Sequence, residues 1–425
     1  MPSPLRTPVQ SEARRPLAGL VALCVVPNCS PGIPSPVATS GSRPAEALSS
    51  RASRNAASGE PRAAKQLALG AYHSCALLGS GQVACWGENQ EGQLGNGSAE
   101  PSAIPILVEA LEDVAEIHAG YAATCARRTA GTVHCWGANS HGQADPRPAP
   151  ELSSPPPVAG AYDGIGEPAN FAPGNVRRRP TELARLGPIR SFSMGMQHAC
   201  ALDHDGRVTC WGDASRGQMG PEAPVAAFVQ QKLGGLPPLV EIDSALAYSC
   251  GRTAAGEVWC WGENEHAQLG TPEPSSTPRR VPGVRGAVAL ALTAGKACAR
   301  LTSGRWSCWG DSGECADTTS QFPPGLAEGL GEGIDVVRAA GGCFWCALRS
   351  NHELDCGPSP PTLRELHLSG VASVAAGNDH ACAILESGGI WCWGGNVRGE
   401  LGRVTSAVRD PEPGPVQWRS AAGKR

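Results

Sequence analysis

Aromatic side chains are scarce in this chain: eleven tryptophans, four tyrosines and five phenylalanines among 425 residues. Apolar burial cannot then be spread evenly along the sequence and must be concentrated where the tryptophans fall. Catalytic signatures are missing as well. No phosphate-binding loop, nucleophile elbow or metalloprotease helix can be read, which leaves no chemistry to assign. The apolar run from Leu17 to Val26 is too short to span a bilayer. Residues 30–62 contain almost no large apolar side chain, so they cannot bury enough surface to order themselves.

Cysteine is abundant and regular. Seven pairs stand ten positions apart: Cys75 and Cys85, Cys125 and Cys135, Cys200 and Cys210, Cys250 and Cys260, Cys298 and Cys308, Cys346 and Cys356, Cys382 and Cys392. Each pair brackets two short apolar flanks and a small polar turn, the pattern of a β-hairpin. Glycine sits six residues after the first cysteine in six copies, at 81, 131, 206, 256, 304 and 388. A three-residue hairpin loop ends in a left-handed residue, which glycine adopts without a Cβ clash. That turn sets the register: Leu78 opposes Gln82, Leu77 opposes Val83, and Cys75 faces Cys85.

Successive first cysteines are separated by 50, 75, 50, 48, 48 and 36 residues. A period near 50 built from short strands means propeller blades, which must stack to bury their faces. The residue after the first cysteine is always Ala or Gly, and the residue after the second is tryptophan in six copies, at 86, 136, 211, 261, 309 and 393. Both suit close packing between blades. Gly-x-x-His-x-Cys-Ala-Leu, then Val-x-Cys-Trp-Gly, then Gly-Gln-Leu-Gly resembles the repeat of the RCC1 (regulator of chromosome condensation) family over about residues 64–418. The expected fold is all-β, a seven-bladed β-propeller over residues 63–420. The resemblance also implies chromatin and a small-GTPase partner. The charge argues otherwise: residues 1–62 carry seven Arg and three Glu, or +4, so a net −4 leaves −8 for the remainder. An acidic propeller is a poor binder of phosphate backbones, and no nucleic acid is expected.

Paired cysteines at fixed spacing read as disulfides in an oxidising compartment. Zinc or free thiols are the rivals, but the spacing lacks a Cys-x2-Cys knuckle. Two cysteines remain beyond the leader, Cys315 and Cys343. They flank the junction of copies five and six, and an eighth disulfide between them is expected. The competing reading is a redox pair, Cys343 with Cys346.

Residues 1–29 read as a signal or anchor segment, with Cys24 and Cys29 as poor lipidation candidates, and 30–62 as a tether. Between Trp136 and Cys200 lie about 25 extra residues. The stretch 141–179, with Tyr162, Phe171 and the run Arg177, Arg178, Arg179, is expected as a rim loop between blades two and three that contacts a partner. Asp203 to Gly206 hints at a calcium loop but fits an Asp-Gly turn better. His73, His198 and His380 share one repeat position and read as structural hydrogen-bonding residues. The expectation is therefore an exported, monomeric, cofactor-free propeller that binds a protein partner through a loop face. Its alternatives are a guanine-nucleotide exchange factor and a thiol oxidoreductase.

Overall fold

The computed structural model describes residues 63–147, 175–221, 223, 229–310, 321–326, 334–340, 344–357, 364–366 and 368–418, all within the compact unit Glu60–Arg425. Residues 1–62, Tyr162, Phe171, Cys315 and Cys343 lie outside the described residues, and the expected eighth disulfide falls there with them. Seven antiparallel sheets of four strands follow one another, each in sequence order. These blades span 64–107, 114–182, 191–232, 239–280, 287–326, 334–366 and 371–415. The first strand of each blade touches the first strand of the next, and Ala64–Leu69 touches Val371–Ala376, so the ring is closed.

The hairpins carry the register. Leu78 N donates to Gln82 O at 2.9 Å and Gly81 N to Leu78 O at 2.9 Å, with Gly81 at φ 81°. Counting back from that bonded pair, Cys75 and Cys85 meet at a non-bonded site, where facing side chains come closest. All seven such pairs are bridged, with Cα atoms 4.0 to 4.2 Å apart. Bridges of this kind fit an oxidising, extracellular environment. Copy six keeps the turn although His352 replaces glycine: His352 holds φ 66° and donates its N–H to Arg349 O at 3.0 Å.

Among the described residues there is no single central core. Buried apolar residues group at the seams between neighbouring blades, as in Leu77, Val83, Leu94, Ile117 and Trp136 between blades one and two. The six repeat tryptophans are all at most 2% exposed. Each buried indole removes roughly 200 Å² from water, on the order of 5 kcal/mol before ordering costs. Its N–H must also be satisfied, and the preceding blade supplies an acceptor. Trp136 Nε1 donates to Gln93 O at 2.8 Å, Trp211 to Gln143 O at 3.1 Å, Trp261 to Gln218 O at 3.0 Å, Trp309 to Gln268 O at 2.9 Å, and Trp86 to Glu400 O at 2.7 Å. The acceptor belongs to the Gly-Gln-Leu-Gly turn, whose function in the repeat is thereby explained. Copy six lacks the Gly-Gln-Leu-Gly motif in its sequence, and among the described residues Trp393 Nε1 is buried without a partner.

Ring closure uses no shared strand: blade seven is built wholly from 371–415 and blade one from 64–107. The closing seam has instead the same contacts as the others, among them Ala64 N to Gly388 O at 3.0 Å, the counterpart of Val114 N to Gly81 O. The last outer strand is Arg409–Pro415. The rim-loop expectation also needs correcting. Val176–Glu182 is the outer strand of blade two, so Arg177, Arg178 and Arg179 are in a strand and the insertion lies inside blade two. Three consecutive arginines hide a strand in the sequence because an edge strand keeps its charges in water.

Candidate partner-binding face

Two ends of the ring differ. One carries the hairpin turns and the linkers between blades, tied by bonds such as Val114 N to Gly81 O at 3.0 Å and Leu239 N to Gly206 O at 3.0 Å. The other carries the turns between first and second strands and the long connections to the outer strands. Glu88 N to Tyr72 O, Asp213 N to Gln197 O and Glu263 N to Ala247 O, at 2.8 to 3.0 Å, tie each connection to its inner turn. We refer to the two ends as the hairpin face and the loop face.

At the centre of the loop face the inner turns meet around the axis. A Cβ at Gly70 would stand 2.7 Å from the Gly120 carbonyl oxygen, one at Gly120 2.6 Å from that of Gly195, and one at Gly377 2.5 Å from that of Gly70. Only glycine lets these backbones approach so closely. Gly70, Gly195 and Gly377 also make room for the histidine three residues on: His73 Cε1 would be 2.1 Å from a Cβ at Gly70. Each histidine then reaches the next blade: His73 Nε2 meets Thr124 Oγ1 at 2.8 Å, His198 meets Ser249 Oγ at 2.9 Å, and His380 meets Ser74 Oγ at 2.8 Å. Ser74 Oγ spends its proton on Glu400 O at 3.2 Å and Thr124 Oγ1 on Gln93 O at 3.2 Å. These hydroxyls therefore accept from the rings, and His73 and His380 carry their proton on Nε2. Burial pushes the three imidazoles down, His73 to about 3, His198 to about 4 and His380 to about 3, so all are neutral. Among the described residues no cluster of His, Cys, Asp and Glu could hold a metal ion. Asp203 Oδ1 accepts the N–H groups of Asp205 at 2.9 Å and Arg207 at 2.8 Å, as an Asp-Gly turn requires.

Above this framework, a chain of backbone bonds links four inner turns: Ala71 N to Tyr121 O, Tyr121 N to Met196 O and Met196 N to Leu246 O, at 2.9 to 3.0 Å. The side chains at this level differ from blade to blade. Tyr72 is 37% exposed and meets Tyr121 edge-on, with ring centroids 6.1 Å apart. Burial, and then Tyr121 beside it, push the Tyr72 phenol up, and its hydroxyl is shared with Tyr121 and Asn378. Carboxylates surround this aromatic and apolar centre. Glu88 pairs with Arg398 at 3.0 Å, Glu263 with Arg216 at 2.7 Å, and Asp379 with Arg409 at 2.8 Å. An apolar mouth with Tyr and Met, ringed by charge, has the anatomy of a protein interface. The sequence reading missed Tyr72, Tyr121, Met196 and Leu246. The available signal was variation: in seven copies of one framework, the inner-turn positions are those that fail to repeat.

The insertion opens on the same face. Its described ends are clamped: Asn139 N donates to Asn175 O at 3.0 Å, and Asn139 Nδ2 to Asn175 Oδ1 at 3.1 Å. Arg147 and Arg177 both reach Asp145, at 2.8 and 3.1 Å. Burial alone would raise the Asp145 carboxyl, but the bonds from Arg147 and the Arg177 guanidinium hold it below its usual value. Arg177, expected at a partner contact, is thus committed to the base of the insertion. Arg178 and Arg179 are exposed, beside Gly97 of blade one, whose N–H donates to Arg178 O at 2.8 Å.

The fold is a repeat propeller of seven stapled blades. Residues 64–93, 114–143, 189–218 and 371–400, and separately 80–127 and 255–297, match the regulator of chromosome condensation (RCC1) repeat, and the chain belongs to that repeat family. Human RCC1 domain-containing protein 1 is 48% identical over 59 residues, which are 13% of this chain and 16% of that protein. The chain therefore matches only a small part of such relatives. Among solved structures, human WBSCR16 aligns at TM-score 0.63 and 18% identity, over 79% of this chain and 94% of that one. Prp20p of Saccharomyces cerevisiae, described with its binding to Gsp1p and histones, aligns at TM-score 0.65 and 18% identity, over 80% of this chain and 86% of that one.

Proposed function

We propose that this chain is an exported scaffold that holds a protein partner on its loop face and performs no chemistry of its own. The observation that carries the reading is the pairing of an invariant framework with a varied, tyrosine-bearing mouth at one end of it. A surface kept constant for stability and changed residue by residue at one level is how a repeat protein makes a recognition site. Seven buried disulfides favour export, with residues 1–29 as the signal or anchor and 30–62 as the tether. Prp20p, which shares the fold, is described as binding the proteins Gsp1p and histones, so protein binding is within the range of this architecture. The net −8 beyond residue 62 speaks against nucleic acid as the ligand. The insertion, with Tyr162, Phe171 and the exposed Arg178 and Arg179, extends the same surface. Affinity capture with the mature, oxidised domain, followed by mass spectrometry, tests this. A partner should be retained by the wild type and lost with Tyr72→Ala/Tyr121→Ala, and retention by that folded variant would refute the loop-face site.

A further inference from the structure

Glu400 occupies a place where other blades use glutamine. The turn reads Gly-Gln-Leu-Gly around Gln93, Gly-Gln-Ala-Asp around Gln143, Gly-Gln-Met-Gly around Gln218 and Ala-Gln-Leu-Gly around Gln268, and Gly-Glu-Leu-Gly around Glu400. The structural tasks are the same in both cases. The backbone oxygen accepts the next blade's indole, 2.8 Å for Gln93 and 2.7 Å for Glu400. The side-chain oxygen accepts the N–H two residues earlier, 3.0 Å from Glu91 to Gln93 and 2.7 Å from Arg398 to Glu400. A neutral amide meets both tasks in four blades, so the negative charge of Glu400 adds nothing to the fold.

That charge is unfavourable where it sits. Glu400 is 3% exposed, burial pushes its carboxyl up, and Glu88 nearby pushes in the same direction. Arg398 eases this only at a distance, since its guanidinium is bonded to Glu88 at 3.0 Å. Glu400 borders the mouth: Ser74, two residues after Tyr72, donates its hydroxyl to Glu400 O at 3.2 Å, the carboxyl's field reaches the Tyr72 phenol, and Tyr72 is the exposed aromatic of the mouth. A tyrosine ring open to solvent beside a buried, surplus carboxylate is chemistry that recognises an organic cation, through the ring face and the charge together.

We propose that the side of the mouth between blades seven and one is a subsite for a guanidinium or ammonium group, an arginine or lysine presented by a protruding segment of the partner. This rests on the loop-face reading above and adds the partner's chemistry to it. Glu400 supplies the countercharge, and Tyr72 and Tyr121 supply the surface on which the cation's stem lies.

The test uses fluorescein-labelled hexa-arginine and hexa-glutamate peptides and anisotropy at low and moderate salt. Wild type should bind hexa-arginine and not hexa-glutamate. Glu400→Gln, which keeps the backbone acceptor and the side-chain oxygen, should weaken hexa-arginine by at least about tenfold, the scale of one lost close charge pair, with an unchanged or higher melting temperature. Glu257→Gln on the hairpin face should leave binding as it was. Equal affinity of Glu400→Gln and wild type, or an equal loss with Glu257→Gln, overturns the subsite. Partner capture separates the two claims: loss with Tyr72→Ala and no change with Glu400→Gln leaves the loop face standing and removes the cation, whereas no change with either removes both.

Discussion

The seams between blades and the mouth at the axis are drawn from the same seven copies, and they treat repetition in opposite ways. At the seams, one indole, one carbonyl acceptor and one bridged hairpin recur almost unaltered. At the mouth, neighbouring blades place Ala71, Tyr121, Met196 and Leu246 on one backbone-linked level. What repeats closes the ring, and what varies is free to recognise. Substitutions should therefore separate into those that move stability and those that move binding.

The largest effect is expected at a seam tryptophan. Trp136→Ala should cost about 3–5 kcal/mol in urea unfolding, because it empties a fully buried site and leaves the Gln93 carbonyl without its indole donor. Trp393→Ala offers a sharper comparison, since among the described residues its indole N–H has no partner to lose. Its cost should be lower by about 1 kcal/mol, the net worth of one hydrogen bond. Equal costs would mean that the carbonyl acceptors contribute nothing to the seams.

Next comes a hairpin staple. Replacing Cys200 and Cys210 together by alanine opens an eleven-residue loop and should cost about 2.5–3 kcal/mol by the chain-entropy estimate. Partner capture below the new melting temperature should be unaffected, because the bridge lies within the hairpin and away from the mouth.

Acid should act through the histidines. His73, His198 and His380 are bases with folded values depressed by burial to about 3, 4 and 3. An unfolded histidine takes up its proton near pH 6.5, so the unfolded state binds protons first. The stability these rings contribute is complete above about pH 6.5 and is lost progressively as pH falls toward their folded values. Carboxylates held low, such as Asp145 and Glu116, lose their contribution only at lower pH. Between pH 7 and pH 5 the denaturation midpoint should therefore fall, and His198→Gln, which keeps a side chain able to bond Ser249, should fall less. A flat wild-type midpoint across that range would contradict the neutral, buried assignment.

Much of the framework was legible in the residues themselves. Gly81 and the ten-residue cysteine spacing were enough to place Cys75 opposite Cys85, because a hairpin loop of known length leaves no freedom of register. The tryptophans announced seam packing for the same reason, one large apolar side chain at one phase of every copy. The outer strand with Arg177, Arg178 and Arg179 was hidden, since an edge strand can carry charge that a central strand cannot. The partners of the histidines were encoded one copy further on. His73, His198 and His380 are each followed, in the next blade, by a hydroxyl before the first cysteine (Thr124, Ser249, Ser74), whereas Ala123 is followed by Ala199. The mouth was overlooked because a turn residue that changes from copy to copy looks like noise until its copies are seen side by side in space.

The smallest expected effect on stability is at the mouth, and it tests the central claim most directly. Tyr72→Ala/Tyr121→Ala should shift the unfolding free energy by no more than about 1 kcal/mol, as for partly exposed substitutions. The comparison is with Arg285→Ala/Arg305→Ala, two exposed arginines on the hairpin face. Both variants and the wild type are immobilised in oxidised form and the protein partner retained by each is quantified. The account predicts full retention by the arginine variant and loss by the tyrosine variant at equal foldedness. Loss by the arginine variant with retention by the tyrosine variant would contradict it.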